Sequence, residues 1–272
     1  MRGVWAGFLV VLMVGAWAVP AVAVVATSAA SSPLLESGVY HTSHVKSFNW
    51  GGYAVTGATN SFTKVDGSWI QPKIHGTCPS TDQYASFWVG LDGYSSGTVE
   101  QTGTDSDCQG GSPVYYAWYE FYPNPSILIS SVTIHSGDVI FAEVKTITPT
   151  STNGHKNFAL TLKDVTTGGS FTKTGKVTGA MRNSAEWIAE APYSGGILPL
   201  ANFGTMDFGF DYTAVASTND ATHSGTTGDI ASFAQIDAIT MVNNARTLTK
   251  ASVGALSSDG TSFKMTWKNA GP

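Results

Sequence analysis

The sequence has little charge and no excess of basic residues. Charged residues make up 12% of the chain, with 14 Lys and Arg against 19 Asp and Glu, so the formal net charge is −5. Because binding to a nucleic acid backbone depends on clustered Lys and Arg, we expect no nucleic acid partner. A chain with few carboxylates also has few groups that acidification can disrupt by protonating them. The composition therefore permits an acidic environment.

Cysteine and metal-binding motifs are also scarce. The two cysteines, Cys78 and Cys108, are most simply a disulfide if the protein is exported. The six His are scattered and no HExxH motif occurs, which argues against a zinc hydrolase. The phosphate-binding pattern GxxxxGK[ST] is absent, as are the paired Asp-Thr-Gly or Asp-Ser-Gly sequences of pepsin-like enzymes. We expect neither a metal nor an organic cofactor.

The N-terminus carries the one long apolar run of the sequence. Arg2 precedes the run from Val4 to Val19, and Pro20-Ala21-Val22-Ala23 supplies small residues for cleavage. This order is typical of a secretory signal peptide, although an uncleaved membrane anchor is the alternative. We predict a signal peptide over residues 1–23 and a propeptide or linker over the small, polar residues 24–46. The mature protein is then secreted, with no contact with a membrane.

Sustained helical periodicity is missing from Phe48 onward. Short runs of β-branched and aromatic residues alternate with turns rich in Gly, a pattern typical of strands. Ten strands are predicted: Thr63–Ile70, Ala85–Leu91, Gly97–Thr102, Val114–Tyr122, Val139–Thr148, Phe158–Asp164, Ala185–Glu190, Thr205–Phe210, Ile236–Val242 and Phe263–Lys268. Their regular spacing predicts that residues 47–272 form one all-β domain, an antiparallel two-sheet β-sandwich. A monomer is the default expectation.

The stretch from Ala85 to Pro123 combines many aromatic residues with a few acids and amides. A binding cleft needs this mixture of rigid apolar walls and polar groups, although a sheet core with wet edges would look similar. Strand alternation places Trp88 with Asp92 on one face, and Trp118 with Glu120 on one face. The chain has too few Lys and Arg to pair such acids on an outer surface. We therefore favour a concave sheet lined by aromatic side chains.

Two other patterns have plain explanations. Gly93-Tyr94-Ser95-Ser96-Gly97 matches the GxSxG nucleophile elbow, but the elbow requires a helix after it and here a strand is predicted, so we interpret it as a serine-rich turn. Glu186 and Glu190 share one face of a predicted strand. From the residues alone, solvated acids at a sheet edge are the preferred interpretation of this pair.

Six short motifs follow one another along the chain. They are Asn49-Trp50-Gly51-Gly52-Tyr53, Trp88-Val89-Gly90-Leu91-Asp92-Gly93, Gln101-Thr102-Gly103-Thr104-Asp105, Ala117-Trp118-Tyr119-Glu120-Phe121-Tyr122-Pro123, Ser136-Gly137-Asp138 and Ala185-Glu186-Trp187-Ile188-Ala189-Glu190. Each motif is weak alone, but six in this order across residues 49–190 are specific, and together they resemble the glutamic peptidase family, whose members are also called eqolisins. The resemblance implies a sandwich of the legume-lectin (concanavalin) type, with substrate in the concavity of one sheet.

The resemblance also implies an activity, that of a pepstatin-insensitive acid endopeptidase acting on proteins or peptides. By match to the motifs, Glu186 and Gln101 are the catalytic pair. The positions that line the cleft or brace this pair are Trp50, Trp88, Asp92, Asp105, Trp118 and Glu120. In this scheme Glu186 takes a proton from water and later returns it to the leaving amine, while the carboxamide of Gln101 stabilises the oxyanion. With no second carboxylate beside it, Glu186 should titrate like an ordinary Glu, which predicts an acidic optimum.

Some positions depart from the family pattern, and two other functions stay open. Leu91 and Phe121 replace the Ile and Trp that are usual in their motifs.

A glycoside hydrolase would use Glu120 and Glu186 as paired carboxylates, but the ExDxxE arrangement of common sandwich glycosidases is absent. A lectin-like module that only binds carbohydrate or peptide has no need to keep both Gln101 and Glu186.

Overall fold

The computed structural model describes residues 44–271, which are almost entirely strands, turns and loops. The strands are β1 (His44–Ser47), β2 (Trp50–Thr56), β3 (Phe62–Ile70), β4 (Ser86–Leu91), β5 (Val99–Gln109), β6 (Ser112–Tyr122), β7 (Ile127–Ile129), β8 (Val139–Thr152), β9 (His155–Asp164), β10 (Ser170–Thr178), β11 (Ser184–Glu190), β12 (Thr205–Phe208), β13 (Asp220–His223), β14 (Thr226–Asp229), β15 (Ile236–Val242), β16 (Thr249–Val253) and β17 (Phe263–Trp267). The helix α1 (Phe210–Thr213) and a 3-10 turn (Ile230–Ser232) are short. The all-β prediction is confirmed.

All ten predicted strands are present, several with different ends, and seven more were not predicted: β1, β2, β7, β10, β13, β14 and β16. Residues 44–46, which the sequence placed in a propeptide or linker, belong to β1. The predicted signal peptide and the rest of that linker lie outside the described residues.

The strands are joined in one continuous sheet. One part runs β7–β6–β5–β4–β11–β2–β15, and we call it the β4 half. The other part runs β16–β17–β12–β3–β8–β9–β10, the β8 half, and the β13–β14 hairpin joins it at β3. Pairing of β15 with β16 connects the halves. These strands are antiparallel, whereas β1 pairs with β15 in parallel. Two separate sheets are thus not confirmed.

One face of the β4 half contacts the β8 half in the main apolar core. Trp187 of β11 donates from Nε1 to the Asp66 carbonyl of β3 at 2.7 Å. In the other direction, Trp69 of β3 donates from Nε1 to Thr104 Oγ1 of β5 at 3.0 Å. Both indoles are fully buried, so each N–H needs a partner of this kind. These bonds fix how the two halves lie against each other.

The opposite face of the β4 half, which we call the site face, carries a second and smaller apolar cluster. Its buried members are Val45, Trp50, Ala54, Trp88, Tyr94, Val99, Tyr116, Trp118, Ile188 and Ile239. Side chains alternate along a strand, so the same strands supply both clusters. The predicted disulfide is also present: Cys78 and Cys108 are bonded with their Cα atoms 5.3 Å apart. It ties the segment before β4 to the end of β5.

Candidate active site

The strand register brings three polar side chains into one row on the site face. Glu186 of β11 pairs with Gly90 of β4, Gly90 pairs with Gln101 of β5, and Gln101 pairs with Glu120 of β6. Neighbouring strands lie about 4.8 Å apart, so the Cα atoms of Glu186 and Gln101 are roughly 10 Å apart. Only a glycine separates them. Gly90 itself places no side chain between them, and the edge of the Trp88 indole lies over it, with Cζ3 2.9 Å from the position that a Cβ at Gly90 would take.

Gln101 is oriented by Glu120. Its Nε2 donates to Glu120 Oε2 at 2.6 Å, and both side chains are fully buried. Burial raises the pKa of Glu120 well above its ordinary value, and the bond from Gln101 opposes that rise. The carboxyl and the carboxamide thus hold each other in one arrangement.

Glu186 is fully buried and poorly supplied with donors. Among residues 44–271, neither of its carboxylate oxygens has a partner at hydrogen-bonding geometry. Burial raises its pKa well above the ordinary value and the charge of Asp92 adds to the rise, while the nearby Ser184 hydroxyl and Tyr94 backbone N–H oppose it. The prediction that Glu186 titrates like an ordinary Glu is therefore wrong. Desolvation favours its neutral form.

Asp92 holds the chain that leads into β11. Its carboxylate accepts from the backbone N–H groups of Arg182 at 2.8 Å and Asn183 at 3.0 Å, and its own N–H donates to the Ser184 carbonyl. Its φ of 70° lies in the left-handed region, which lets one residue turn the chain after β4. Asp92 thus fixes the start of the strand that carries Glu186.

A row of large apolar side chains lies beside the polar row. This row lies two residues along each strand from the polar row. Ile188 of β11 pairs with Trp88 of β4, Trp88 pairs with Gly103 of β5, and Gly103 pairs with Trp118 of β6. Trp50 meets Trp88 edge to face, with ring centroids 4.8 Å apart. The structure therefore places the three predicted tryptophans together, as an apolar wall next to Glu186 and Gln101.

Two buried carboxyl groups, Asp105 in a third row and Asp107 two residues further along β5, share one tyrosine. Asp105 accepts from Trp118 Nε1 and, at 2.9 Å, from the Tyr116 hydroxyl. The same hydroxyl lies 2.9 Å from an oxygen of Asp107. One hydroxyl hydrogen cannot serve both acceptors fully, so the arrangement favours a proton on one of the two carboxyl groups. Burial raises the pKa of Asp105 to about 7, and burial followed by the charge of Asp105 raises that of Asp107 well above its usual value.

Glu190 is held at the end of the same row. It accepts from Trp88 Nε1 at 2.9 Å and from Asn49 Nδ2 at 3.1 Å, and it is fully buried. Burial raises its pKa, opposed by the bond from Trp88. The interpretation of Glu186 and Glu190 as solvated edge acids is therefore wrong.

Sequence reasoning missed five members of the site face: Tyr94, Asp107, Tyr116, Glu190 and Asp237. Strand alternation was a usable signal for three of them, since Asp107, Tyr116 and Glu190 each share a face with a residue of a motif. No signal pointed to Asp237, which lies in the part of the chain where no motif was matched.

Other kinds of site were sought in the part of the chain that the structure describes. It contains no cluster of three or more His, Cys, Asp or Glu able to hold a metal ion. No helix within residues 44–271 is long and apolar enough to cross a membrane.

Known proteins resemble this chain in sequence and structure. The sequence profile described as the Peptidase A4 family matches residues 48–264. Aspergillopepsin-2 of Aspergillus niger is 32% identical over 189 residues, which are 61% of this chain and 64% of that protein. Scytalidopepsin B of Scytalidium lignicola is 34% identical over 146 residues, 52% of this chain and 51% of that protein. The chain thus matches less than two thirds of the length of either relative.

The fold agrees with a crystal structure of scytalido-glutamic peptidase bound to a transition state analog inhibitor. The two are 25% identical with a TM-score of 0.63, over 81% of this chain and 98% of that one. The profile match, the relatives and the shared fold confirm the resemblance found in the six motifs. This chain belongs to the Peptidase A4 family, the glutamic peptidases or eqolisins.

Proposed function

We propose that this protein is a secreted endopeptidase that hydrolyses peptide bonds in proteins under acidic conditions, with Glu186 and Gln101 as its catalytic pair. One observation carries the proposal: in a chain of the glutamic peptidase family, these two side chains flank Gly90 on one buried sheet face. A peptide that lies across Gly90 would have a carboxyl group on one side and a carboxamide on the other.

The chemistry needs a base, an oxyanion donor and an acid. Ionised Glu186 takes a proton from water as the water oxygen attacks the peptide carbonyl carbon. The carboxamide of Gln101, oriented by Glu120, donates to the oxygen on which negative charge develops. Glu186 then gives its proton to the amine nitrogen as the C–N bond breaks. The tryptophan wall excludes water from the remainder of the site and packs against the substrate.

Acidic conditions suit the carboxyl groups that surround this pair. The pKa values of Glu120 and Glu190 are both raised by burial, and the charge of Glu120 raises that of Glu190 further. In acid these groups are neutral, so a negative charge on Glu186 has no charged neighbours among them. At higher pH their ionisation would place several negative charges on one buried face and oppose the reaction. Water admitted with the substrate lowers the pKa of Glu186 by solvating it.

Secretion and maturation belong to the same proposal. The order of residues 1–23 supports a signal peptide, and the Cys78–Cys108 bond suits an oxidising compartment. Residues 24–46 stay assigned to a propeptide or linker. We also infer that the β4 and β8 halves form the two layers of a lectin-like sandwich, which the tryptophan contacts across the core support.

The glycoside hydrolase alternative is not favoured. Glu120 and Glu186 are three strands apart, and Gln101 lies between them in the row. The carboxyl of Glu120 is also bound to Gln101, which stands between the two acids.

Hydrolysis of a denatured protein substrate from about pH 2 to 8, a range that brackets Glu titration, tests the proposal. The wild-type protein from the medium of a secreting host is compared with Glu186→Gln and Gln101→Ala, with and without pepstatin. We expect acid proteolysis that resists pepstatin and is lost in both variants. Proteolysis that survives Glu186→Gln, or none by the wild type at any pH, would refute the proposal, and the second result would direct the next assay to glycan and peptide binding.

A further inference from the structure

The polar row continues beyond Glu186, on the side away from Gln101. Glu186 pairs with Ala54 of β2, and Ala54 pairs on its other side with Asp237 of β15. The hydroxyl of Tyr94 donates to Asp237 Oδ2 at 2.6 Å. Tyr94 is 8% exposed and Asp237 is 6% exposed. A buried tyrosine–carboxylate pair thus lies next to the proposed base.

Tyr94 spans the distance between the two acids. Its backbone N–H lies near enough to the carboxylate of Glu186 to lower the pKa of that group, although outside hydrogen-bonding geometry, and its hydroxyl donates to Asp237. Between these ends its ring packs in the same apolar cluster as Ala54.

The loop that carries Tyr94 is tied down on both sides of it. The Gly93 N–H donates to Ser96 Oγ at 2.9 Å, and Asn183 Nδ2 donates to Ser95 Oγ at 3.1 Å. The first bond closes the turn, and the second joins it to the segment before β11. The bond from Tyr94 to Asp237 attaches the same turn to β15. The three bonds hold Tyr94 in place beside Glu186.

We infer that Tyr94 is a positioning residue for Glu186 and that Asp237 keeps it in place. The inference rests on the proposed function, in which Glu186 must ionise to act as the base. A backbone N–H that points at a carboxylate stabilises the ionised form. Such contacts are often long before substrate binds and shorten in the complex. A tyrosine fixed by Asp237 keeps this donor in position for that step.

Other ionisable groups on the surrounding elements lie near Glu186 and affect its pKa. They are Asp92 at the end of β4, Glu100 on the reverse side of β5 and Asp237 on β15, with Arg182 near Asp92 and Glu100. Tyr94 differs from them because it presents a donor to Glu186, and removal of its hydroxyl changes no charge at acidic or neutral pH.

The variant Tyr94→Phe tests this role. Loss of the bond to Asp237 frees the turn, so the pKa of Glu186 should rise by about half a unit or more, as expected for one weakened donor. The acidic limb of the kcat/KM profile should move up by the same amount, and kcat should fall about fivefold with little change in KM. The matched control is Tyr53→Phe, since the Tyr53 hydroxyl is also buried and bonded, to the Gly254 carbonyl, but faces the main core. In Tyr53→Phe the acidic limb of the kcat/KM profile should stay at its wild-type position.

Variants of Asp237 separate the hydrogen bond from the charge. Asp237→Asn keeps an acceptor for the tyrosine hydroxyl and removes one negative charge near Glu186, so its acidic limb should not move up. Asp237→Ala removes the same charge together with the acceptor, so its limb should lie above that of Asp237→Asn, and adding Tyr94→Phe to Asp237→Ala should cause no further shift. Equal acidic limbs in Tyr94→Phe and the wild type, or an equal shift in Tyr53→Phe, would overturn the inference.

A titration of the Glu186 carboxyl carbon by NMR, assigned from its loss in Glu186→Gln, gives a result without any turnover. A wild type that does not hydrolyse protein would refute the proposed function, whereas an unmoved Glu186 midpoint in Tyr94→Phe would refute only the role of Tyr94.

Discussion

Two neighbouring residues of β11, one on each face of the β4 half, differ in whether their buried polar atoms have hydrogen-bond partners. On the core face, the indole N–H of Trp187 is bonded to the Asp66 carbonyl, and the residues around it are apolar. On the site face, the neighbouring residue Glu186 is equally buried but lacks a partner at hydrogen-bonding geometry within residues 44–271. An unsatisfied buried polar group costs about 1–3 kcal/mol. Within β11, Trp187 therefore stabilises the fold, whereas Glu186 reduces stability and leaves a carboxyl group available for chemistry.

This contrast shows that one strand can both stabilise the core and supply site residues, because its side chains alternate between the two faces. The residues of β11 contribute Glu186, Ile188 and Glu190 to one face, and Ala185, Trp187 and Ala189 to the other. Substitutions at neighbouring positions should therefore have opposite consequences for activity and stability, and each prediction below tests that difference.

The largest effect is expected for activity in Glu186→Gln. The amide keeps the shape of the side chain but cannot accept a proton, so kcat/KM should fall by about a thousandfold. Because burial raises the pKa of Glu186, its ionised form destabilises the folded protein at neutral pH. The melting temperature of the variant at pH 7 should therefore equal or exceed that of the wild type. A folded variant with wild-type kcat/KM would remove Glu186 from the reaction.

Trp187→Ala should lose much stability and little specific activity, the reverse of Glu186→Gln. It opens a cavity in the core and leaves the Asp66 carbonyl without its donor, so the free energy of unfolding should fall by about 3–5 kcal/mol. Urea unfolding at acidic pH measures this loss. Activity per folded molecule, corrected for the unfolded fraction, should change much less than in Glu186→Gln. An equal loss of specific activity in both variants would mean that the two faces are not separate.

Asp107→Asn should reveal how the acids of the site face respond to pH. Since the pKa of Asp105 is raised to about 7 and that of Asp107 is also raised, the folded protein retains protons that the unfolded chain has released. The free energy of unfolding therefore falls as the pH rises from about 4 through 7, by about 1.4 kcal/mol per unit for each such carboxyl. Asn cannot ionise, so the variant should match the wild type at pH 4.

At pH 7 the same variant should be more stable than the wild type on this linkage, because the wild type then loses stability through the ionisation of Asp107 and the variant does not. Thermal unfolding at both pH values measures the difference. Asp211→Asn is the control, because it removes the same charge from an exposed residue and should not change the pH slope. A parallel pH dependence for Asp107→Asn and the wild type would contradict the shared-proton arrangement at Tyr116.

The smallest effect is expected for Gly90→Ala. An added Cβ would lie 2.9 Å from Trp88 Cζ3 and 3.3 Å from Gln101 Cβ, so the indole must shift and the gap between the catalytic pair narrows. We expect kcat/KM to fall about tenfold, or about 1.4 kcal/mol in the barrier, with little change in melting temperature. Gly97→Ala is the control, because nothing lies within 4 Å of its added Cβ. Equal kinetics in the two variants would show that the gap at Gly90 is not where substrate lies.

The strand content was largely predictable, and the misses follow from local composition. β11 and β15 are rich in β-branched, aromatic and Ala residues and were placed within one residue of their ends. β2 was missed because two glycines break its apolar run, and the Ser, Thr and Lys of β10 give no apolar alternation. Both strands form because neighbours pair with them, β11 and β15 with β2, and β9 with β10. Their stability is a tertiary effect that propensity alone does not contain.

The candidate site divides in the same way. Motifs and strand alternation were enough to nominate Glu186, Gln101 and the tryptophans beside them, since order along the chain and the side-chain period of two are properties of the sequence. The burial of these side chains, their hydrogen-bond partners and their cross-strand neighbours could not be predicted from the sequence. Glu186 and Glu190 look like solvated acids until the register of β11 between β2 and β4 encloses them.

The sequence by itself determined an all-β chain with one disulfide, the family to which it belongs and the residues proposed for catalysis. Only the tertiary structure decided that Gly90 lies between Glu186 and Gln101, that Asp105 and Asp107 share Tyr116, and that Tyr94 reaches Asp237. The reason is physical: which side chains meet across a sheet depends on strand order and register, and these are set by pairings between segments far apart in the chain.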